Sequence, residues 1–213
     1  MTTPRPEDDA PSHPPRSRQG HSEPWQARLP IPADLADMTP AQQAAAQALL
    51  NGPRKGIYGP FLPLMHSPGL LDRVSKVGEY LRFESVLPER IREFVMCAVA
   101  RHLTNQFEWR MHAPLAVRAG VAEATIEALR LGARPRDLPP DEESALDFTR
   151  ELLHTHGVSE PTHAEALACF KEAGVVELTT LIGYFAMVSW LMNVAHTPAQ
   201  EGASATWLPA FPL

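Results

Sequence analysis

The feature that most narrows the fold is punctuation: from Thr39 onward the chain is written as a series of helix-sized segments with recognisable starts and stops. Thr39 is placed as a cap before Pro40, with Gln42 completing a capping box, and Asn51-Gly52 ends that first helix. Gly56 to Pro63 reads as extended loop, and Ser67-Pro68 opens a helix running to about Phe83. Pro88 opens another, in which Ile91, Phe94, Val95, Ala98 and Val99 recur at helical spacing until Thr104-Asn105 breaks the run. A helix from about Asn105 to Ala119 follows, closed by Gly120. Further helices are predicted over 122–131, 140–156, 161–173 and 176–195, the first three closed by Gly132, Gly157 and Gly174. No segment alternates with period two between hairpin turns and no fixed-length repeat is visible, so the expected class is all-α with short connections.

The flanks read differently. Eight of the 22 prolines lie in the first 32 residues among mixed charges, a composition that cannot offset its ordering entropy by burial. Residues 1–38 are therefore expected to form a flexible arm, 39–198 the helical domain and 199–213 a tail whose Trp207 and Phe211 dock on this chain or a neighbour. At 213 residues the chain suits one domain, burying roughly 70% of its unfolded surface. A net charge of −6 argues against nucleic acid as a partner, because no basic stripe exists to displace counterions. The apolar runs read as shorter than the ~20 residues of a membrane span. Cys97 and Cys169 make neither a disulfide framework nor a four-thiolate zinc site, and the first 25 residues lack the apolar core of a signal peptide. These features set the expectation of a cytoplasmic protein with no membrane partner.

Chemistry is concentrated around the Thr104 turn. Asn105, Glu108 and His112 stand at i, i+3 and i+7 and share one stripe of their helix. The preceding helix returns antiparallel, so Glu93 and His112 fall at nearly matching heights at ~1.5 Å rise per residue. Glu93 is flanked by Met96, Cys97 and Ala100, surroundings that raise a carboxyl pKa unless a partner compensates. A glutamate and a histidine so placed can exchange protons near neutral pH. The same spacing also suits an ordinary i,i+4 pair on a solvated face, with Glu93 in an ion pair with Arg90 or Arg101, and spacing alone does not choose.

The frame ERIREFVMCAVARHLTNQFEWRMHAPLAVRAGV, with Glu93 followed by Asn105, Glu108 and His112, resembles the core of the carboxymuconolactone decarboxylase and alkylhydroperoxidase D-like (AhpD-like) superfamily, and VVELTTLIGYFAMVSWLMNVAHTP resembles its closing helix. The resemblance spans about Gly56 to Pro198 and implies an AhpD-like helical bundle whose antiparallel hairpin carries the site. Redox members carry Glu, then Cys-x-x-Cys, then His; here Asn105 and Glu108 stand at the two cysteine positions, so the resemblance is to the decarboxylase side. It implies a lyase of aromatic compound catabolism acting on a small organic acid or lactone, without cofactor or metal, in a homo-oligomer, trimer or hexamer. The implied catalytic residues are His112 as the principal proton carrier, Glu108 to orient it or protonate substrate, and Glu93 holding the second proton. Asn105, Arg101, Arg110 and Trp109 are the candidate substrate contacts, either arginine being suited to a carboxylate. Two other readings stay open: a thiol-dependent peroxidase or antioxidant protein built on Cys97, and a noncatalytic oligomer that binds an apolar ligand.

Other residues admit plainer roles. Cys97 and Cys169 read as small core residues. His154, His156 and His163 look like a metal cluster by count, yet their positions fit helix ends better. His102 either reaches the His112 pocket or ends its helix, and His196 either joins a pocket or caps. Tyr58, Phe61 and His66 are placed to form one pocket wall, while Tyr184 and Trp190 read as core.

Overall fold

The computed structural model describes residues 27–53, 55–199 and 206–209, which form eight α-helices, a short 3-10 turn and no strand. The all-α expectation holds. Helix α1 (Pro40–Asn51) begins with the anticipated capping box: the Thr39 hydroxyl accepts from the Gln42 amide, and the Gln42 side chain accepts from the Thr39 amide at 3.0 Å. Helix α2 (Phe61–Leu64) is a single turn where an extended loop was expected; Phe61, Pro63 and Leu64 are buried, and packing overrides the local preference of a Pro-flanked segment. Then follow α3 (Pro68–Phe83), α4 (Glu89–His102), α5 (Gln106–Arg118), α6 (Glu123–Arg130), α7 (Pro140–Thr155) and α8 (Glu160–Ala195).

Helix α4 is the axis of the molecule. Every residue from Phe94 to Arg101 is buried, and a run such as Phe94–Ala100, apolar on all sides, has to be enclosed by other elements. It packs against α5, α6, α7 and α8. Ile91, Val95, Met96 and Val99 face a core shared with Leu71 and Leu81 of α3 and Leu178, Leu181 and Ile182 of α8. Phe94, Cys97 and Ala98 face a second core with Trp109, Ala113, Ile126, Leu129 and Leu146.

Two helix ends differ from the sequence reading. Gly120 and Gly132 take positive φ as expected, but α7 is closed by His156 in the left-handed conformation (φ 66°) rather than by Gly157. Where Gly174 was expected to separate two helices, α8 continues, and its interruption lies at Lys171 (φ 59°, ψ −179°). Gly174 is needed for space instead: a Cβ there would lie 2.6 Å from the Phe170 Cβ. The continuous α8 also corrects the reading of apolar run lengths, since by length and composition it is able to cross a membrane. More than half of its most apolar stretch is buried, against α4 and α7 among others, which is how a central bundle helix is used.

Of the arm expected over 1–38, residues 1–26, Trp25 among them, lie outside the described residues. Residues 27–38 are docked: the Arg28 amide donates to the Ala195 carbonyl at 2.8 Å, Leu35–Asp37 forms the 3-10 turn, and Met38 is buried. The tail docks on its own chain. Leu208 is buried, and its amide and carbonyl pair with both ends of the Gln106 side-chain amide at 2.9 Å each. Trp109 Nε1 donates to the Thr206 carbonyl at 2.9 Å, Arg101 to the Pro209 carbonyl at 3.1 Å and Arg130 to the Trp207 carbonyl at 3.2 Å. Phe211 lies outside the described residues.

Because these ties combine one buried leucine with several side-chain to main-chain bonds, deleting residues 206–213 is expected to lower unfolding free energy by at least ~2 kcal/mol. Urea unfolding followed by far-UV circular dichroism reads this directly; a midpoint equal to that of the full chain would contradict the docking.

Candidate active site

The site is built on the turn between α4 and α5. Thr104 sits at φ 50°, uncommon for any residue but glycine and more so for a β-branched one, and neighbouring contacts hold it there. Asn105 caps α5, its side-chain oxygen accepting from the Glu108 amide at 2.9 Å. Its Nδ2 donates to the Ser189 carbonyl at 3.2 Å and to Asn193 Oδ1 at 2.9 Å, and Asn193 Nδ2 donates to the Leu103 carbonyl at 3.2 Å. The turn is thus fastened to α8, which sets the register of α5 against α4.

In that register the two helices bring three ionisable groups together. His112 Nδ1 lies 2.7 Å from Glu93 Oε2, and His112 Nε2 lies 3.2 Å from Glu108 Oε2. All three side chains are buried, and the ring of Phe185 packs edge-on against the imidazole with centroids 5.2 Å apart. The reading of Glu108 and His112 as a solvated pair is excluded by this burial. Arg90 turns away to Asp141 and Glu142 of α7, leaving Glu93 to His112.

Electrostatics follow from the geometry. Burial opposes a charge on His112, but the Glu93 carboxylate, hydrogen bonds to Glu108 and Glu93 and the Glu108 charge outweigh it and push its pKa up to about 9. Burial also pushes the Glu93 carboxyl up; the His112 charge and hydrogen bond, with Arg82 and Arg92 beyond, reverse this and hold it below its ordinary value. Near neutral pH the imidazolium therefore donates from both ring nitrogens, and Glu93 is its ionised partner. This differs from the expectation that Glu93 stores a second proton, because the compensating charge is in direct contact.

One edge of this triad meets a cavity. Glu108 and His112 open onto a narrow cleft with an enclosed space of about 30 Å³, lined also by Tyr58, Phe61, Arg82, Phe107, Tyr184 and Phe185. Tyr58 stacks on Phe107 with centroids 6.5 Å apart, and Gly59 between them has φ +57°, where a Cβ would lie 2.4 Å from the Phe107 ring. Tyr58 and Phe61 thus form the wall expected of them, without His66.

The candidate substrate contacts are placed elsewhere. Arg101 and Trp109 hold the tail as described, and the Arg110 guanidinium lies over the Trp207 ring at 4.0 Å. None of the three lines the cleft, and Asn105 is spent on the cap and on α8. Their proximity to His112 in sequence misled because the tail covers that side of the hairpin. Arg82 was missed, although a signal exists: it stands four residues after Gly78, a buried position on an otherwise amphipathic helix, and so points the same way. Tyr184, read as core, is a lining residue as well.

The remaining candidates resolve simply. Cys97 is fully enclosed, and burial, followed by the Glu93 and Glu108 charges, pushes its thiol well above the usual value. Cys169 is exposed, not core. His154 Nδ1 meets the Arg150 carbonyl at 2.7 Å and its ring packs on His102 at 4.8 Å, away from the cleft; among the described residues no His, Cys, Asp or Glu cluster suits a metal. His196 ends α8 in the left-handed conformation, as a cap.

Fold and site together define an all-α protein whose central hairpin carries a buried carboxylate–imidazolium–carboxylate relay opening on an aromatic cleft. Residues 68–151 match the carboxymuconolactone decarboxylase family, and the fold around them is that of AhpD-like proteins. A peroxidase-related protein from Silicibacter sp. TM1040 shares the fold at TM-score 0.65 and 12% identity, over 85% of this chain and 96% of that one. An alkylhydroperoxidase AhpD core protein from Ralstonia eutropha JMP134 does so at 0.60 and 17%, over 82% and 93%. The debrominase Bmp8 matches at 0.61 and 10%, over 82% and 92%. No curated protein matches the chain by sequence.

The relay carries a pH signature in stability. Since the native His112 value of about 9 exceeds the ordinary 6.5, its contribution is full below about pH 6.5 and is lost as pH rises through about 9. Glu93, lowered from 4.5, contributes above that value and loses its contribution as pH falls through the native one. Unfolding free energy measured in urea is therefore expected to decline between about pH 7 and about pH 10 in the wild type, and His112→Gln should flatten that decline. An equal alkaline slope in the variant would show that the raised imidazole is not its source.

Proposed function

We propose that this protein is a cofactor-independent, carboxymuconolactone decarboxylase-like lyase that transfers protons to and from a small organic acid or lactone, in the breakdown of aromatic compounds. The observation that carries the reading is His112 fixed between two carboxylates with its Nε2 edge and Glu108 on the cleft. With a pKa of about 9 the imidazolium is loaded at neutral pH, and Glu93, enclosed behind it, keeps it charged and oriented. In a decarboxylation the carbon–carboxylate bond breaks, its electron pair remains on the conjugated carbon as a dienolate, and carbon dioxide leaves. His112 Nε2–H delivers the proton to that carbon, and Glu108, within 3.2 Å, passes a solvent proton back to the ring. Glu108 and His112 act on substrate; Glu93 is a positioning residue.

A flat ring at the mouth of this cleft is in keeping with the debrominase Bmp8, one of the structural neighbours, a variant of which has been crystallised with 2,3,4-tribromopyrrole. A thiol peroxidase is disfavoured, because its nucleophile is a thiolate and burial holds Cys97 in the neutral form. We also place the protein in the cytoplasm as a homo-oligomer. Val176, Met187, Trp190 and Val194 expose an apolar stripe along α8, which suits a second copy better than water. Light scattering at micromolar concentration should give a mass above the 23.5 kDa of one chain; the monomer mass would contradict it.

Turnover assayed over a panel of unsaturated lactones and keto acids is expected to fall at least ~100-fold in His112→Ala and in Glu108→Ala, and to be unchanged in Cys169→Ser. The rate should fall as pH rises past about 9, where the donor is emptied. Equal activity in all three variants, or peroxide reduction that disappears in Cys97→Ser, would remove the proton-transfer assignment.

A further inference from the structure

The cleft holds a cation that the proton relay does not use. Arg82, in the last turn of α3, lines the cleft with Glu108 and His112 and is half-buried. Among the described residues it makes no ion pair and no hydrogen bond, whereas Arg90 is held by Asp141 and Glu142, Arg130 by Glu127 and Arg134 by Asp147. Its guanidinium carbon lies 5.5 Å from the centroid of the Phe83 ring, a contact that engages a face and leaves the N–H fork open. A partly dehydrated guanidinium without an acceptor is costly, and an anion entering the cleft would supply one.

Neutralising the buried carboxylates is not a sufficient role for it. Glu93 and Glu108 are both taken up by His112, and Arg82 reaches neither closely enough to pair. Its field is nonetheless felt at Glu93, where it helps hold the carboxyl in the charged form. The rest of the wall is flat and apolar: Tyr58, Phe61, Phe107 and Phe185. The free space of about 30 Å³ holds no more than about two water molecules, so the body of a ligand has to rest at the mouth of the cleft, against these rings rather than behind them.

We propose that Arg82 is the carboxylate receptor of the cleft and selects a planar, unsaturated or aromatic acid, gripping its carboxylate through two parallel N–H···O bonds while the ring packs against the aromatic side chains at the cleft mouth. The inference deepens the proton-transfer reading, in that the held acid presents its flat carbon skeleton to His112, but the binding it describes stands without turnover.

Benzoate and its uncharged isostere benzamide are suitable probes, titrated into the full chain by calorimetry, with the His112 ring signals in NMR reporting that binding occurs in the cleft. Wild type should bind benzoate at least ~10-fold more tightly than benzamide. Arg82→Met should remove that preference and leave benzamide within about two-fold, and Arg82→Lys, which keeps the charge but not the fork, should restore part of it. Should Arg82→Met fail to fold, Arg82→Gln serves in its place. Benzoate bound no better than benzamide, no perturbation of His112, or undiminished preference in the Arg82 variants would each overturn the proposal. His112→Gln separates the two ideas: benzoate preference retained there, with no acid turned over by the wild type, leaves the receptor standing and removes only the lyase.

Discussion

The interaction on which the rest depends is the buried contact of one imidazole with two carboxylates across the α4–α5 hairpin. Bringing three ionisable groups out of water costs several kcal/mol per charge, and attraction in the interior offsets this only when geometry is tight and every polar atom is engaged. Here it is tight on the Glu93 side, at 2.7 Å, and looser on the Glu108 side, at 3.2 Å. That asymmetry has chemical meaning. The short bond fixes the ring and its charge from the closed side, while the longer one joins the two residues of the triad that line the cleft, His112 and Glu108.

Holding such a contact requires a scaffold that does not relax around it, and the sequence devotes unusual residues to that end. Thr104 accepts a strained φ so that α5 turns back at once. Asn105 then caps α5 and bonds α8 simultaneously, so the hairpin cannot change register without breaking both. On the outer side the tail ties Gln106, the first residue of α5, to Leu208 through a two-point amide pair. The first turn of α5, which carries Glu108, is therefore pinned from α8 on one side and from the C-terminal segment on the other.

Much of this was legible in the sequence because helices announce themselves locally. The Thr39 cap, prolines at 40, 68 and 140, and the apolar spacing of α4 placed α1, α3, α4 and α7 to within a residue or two. Glu93, Glu108 and His112 were legible for the same reason, since helical period and one tight turn are enough to align them. What could not be read was anything that depends on long-range packing. Arg82 comes from α3, Tyr58 and Phe61 from the segment before it, and Tyr184 and Phe185 from α8, so the cleft is assembled from elements far apart in the chain. Arg101, Trp109 and Arg110 were misread in the same way, because a tail about 100 residues away covers them. The α8 interruption at Lys171 went to Gly174 in the sequence reading, since composition shows a glycine but not whether it serves a turn or a close approach.

Asn105 and Glu108, the two positions at which the family resemblance would have cysteines, are both engaged in this chain. The first, Asn105, caps α5 and ties it to α8, and the second, Glu108, places a carboxyl oxygen 3.2 Å from His112 Nε2. The one thiol near the hairpin, Cys97, has gone to the opposite extreme: it is enclosed among Phe94, Ala98 and Trp109, where burial and two neighbouring carboxylates suppress its ionisation. The same negative charges contribute to both effects: the carboxylates that keep His112 protonated near neutral pH also help keep the Cys97 thiol in its neutral form.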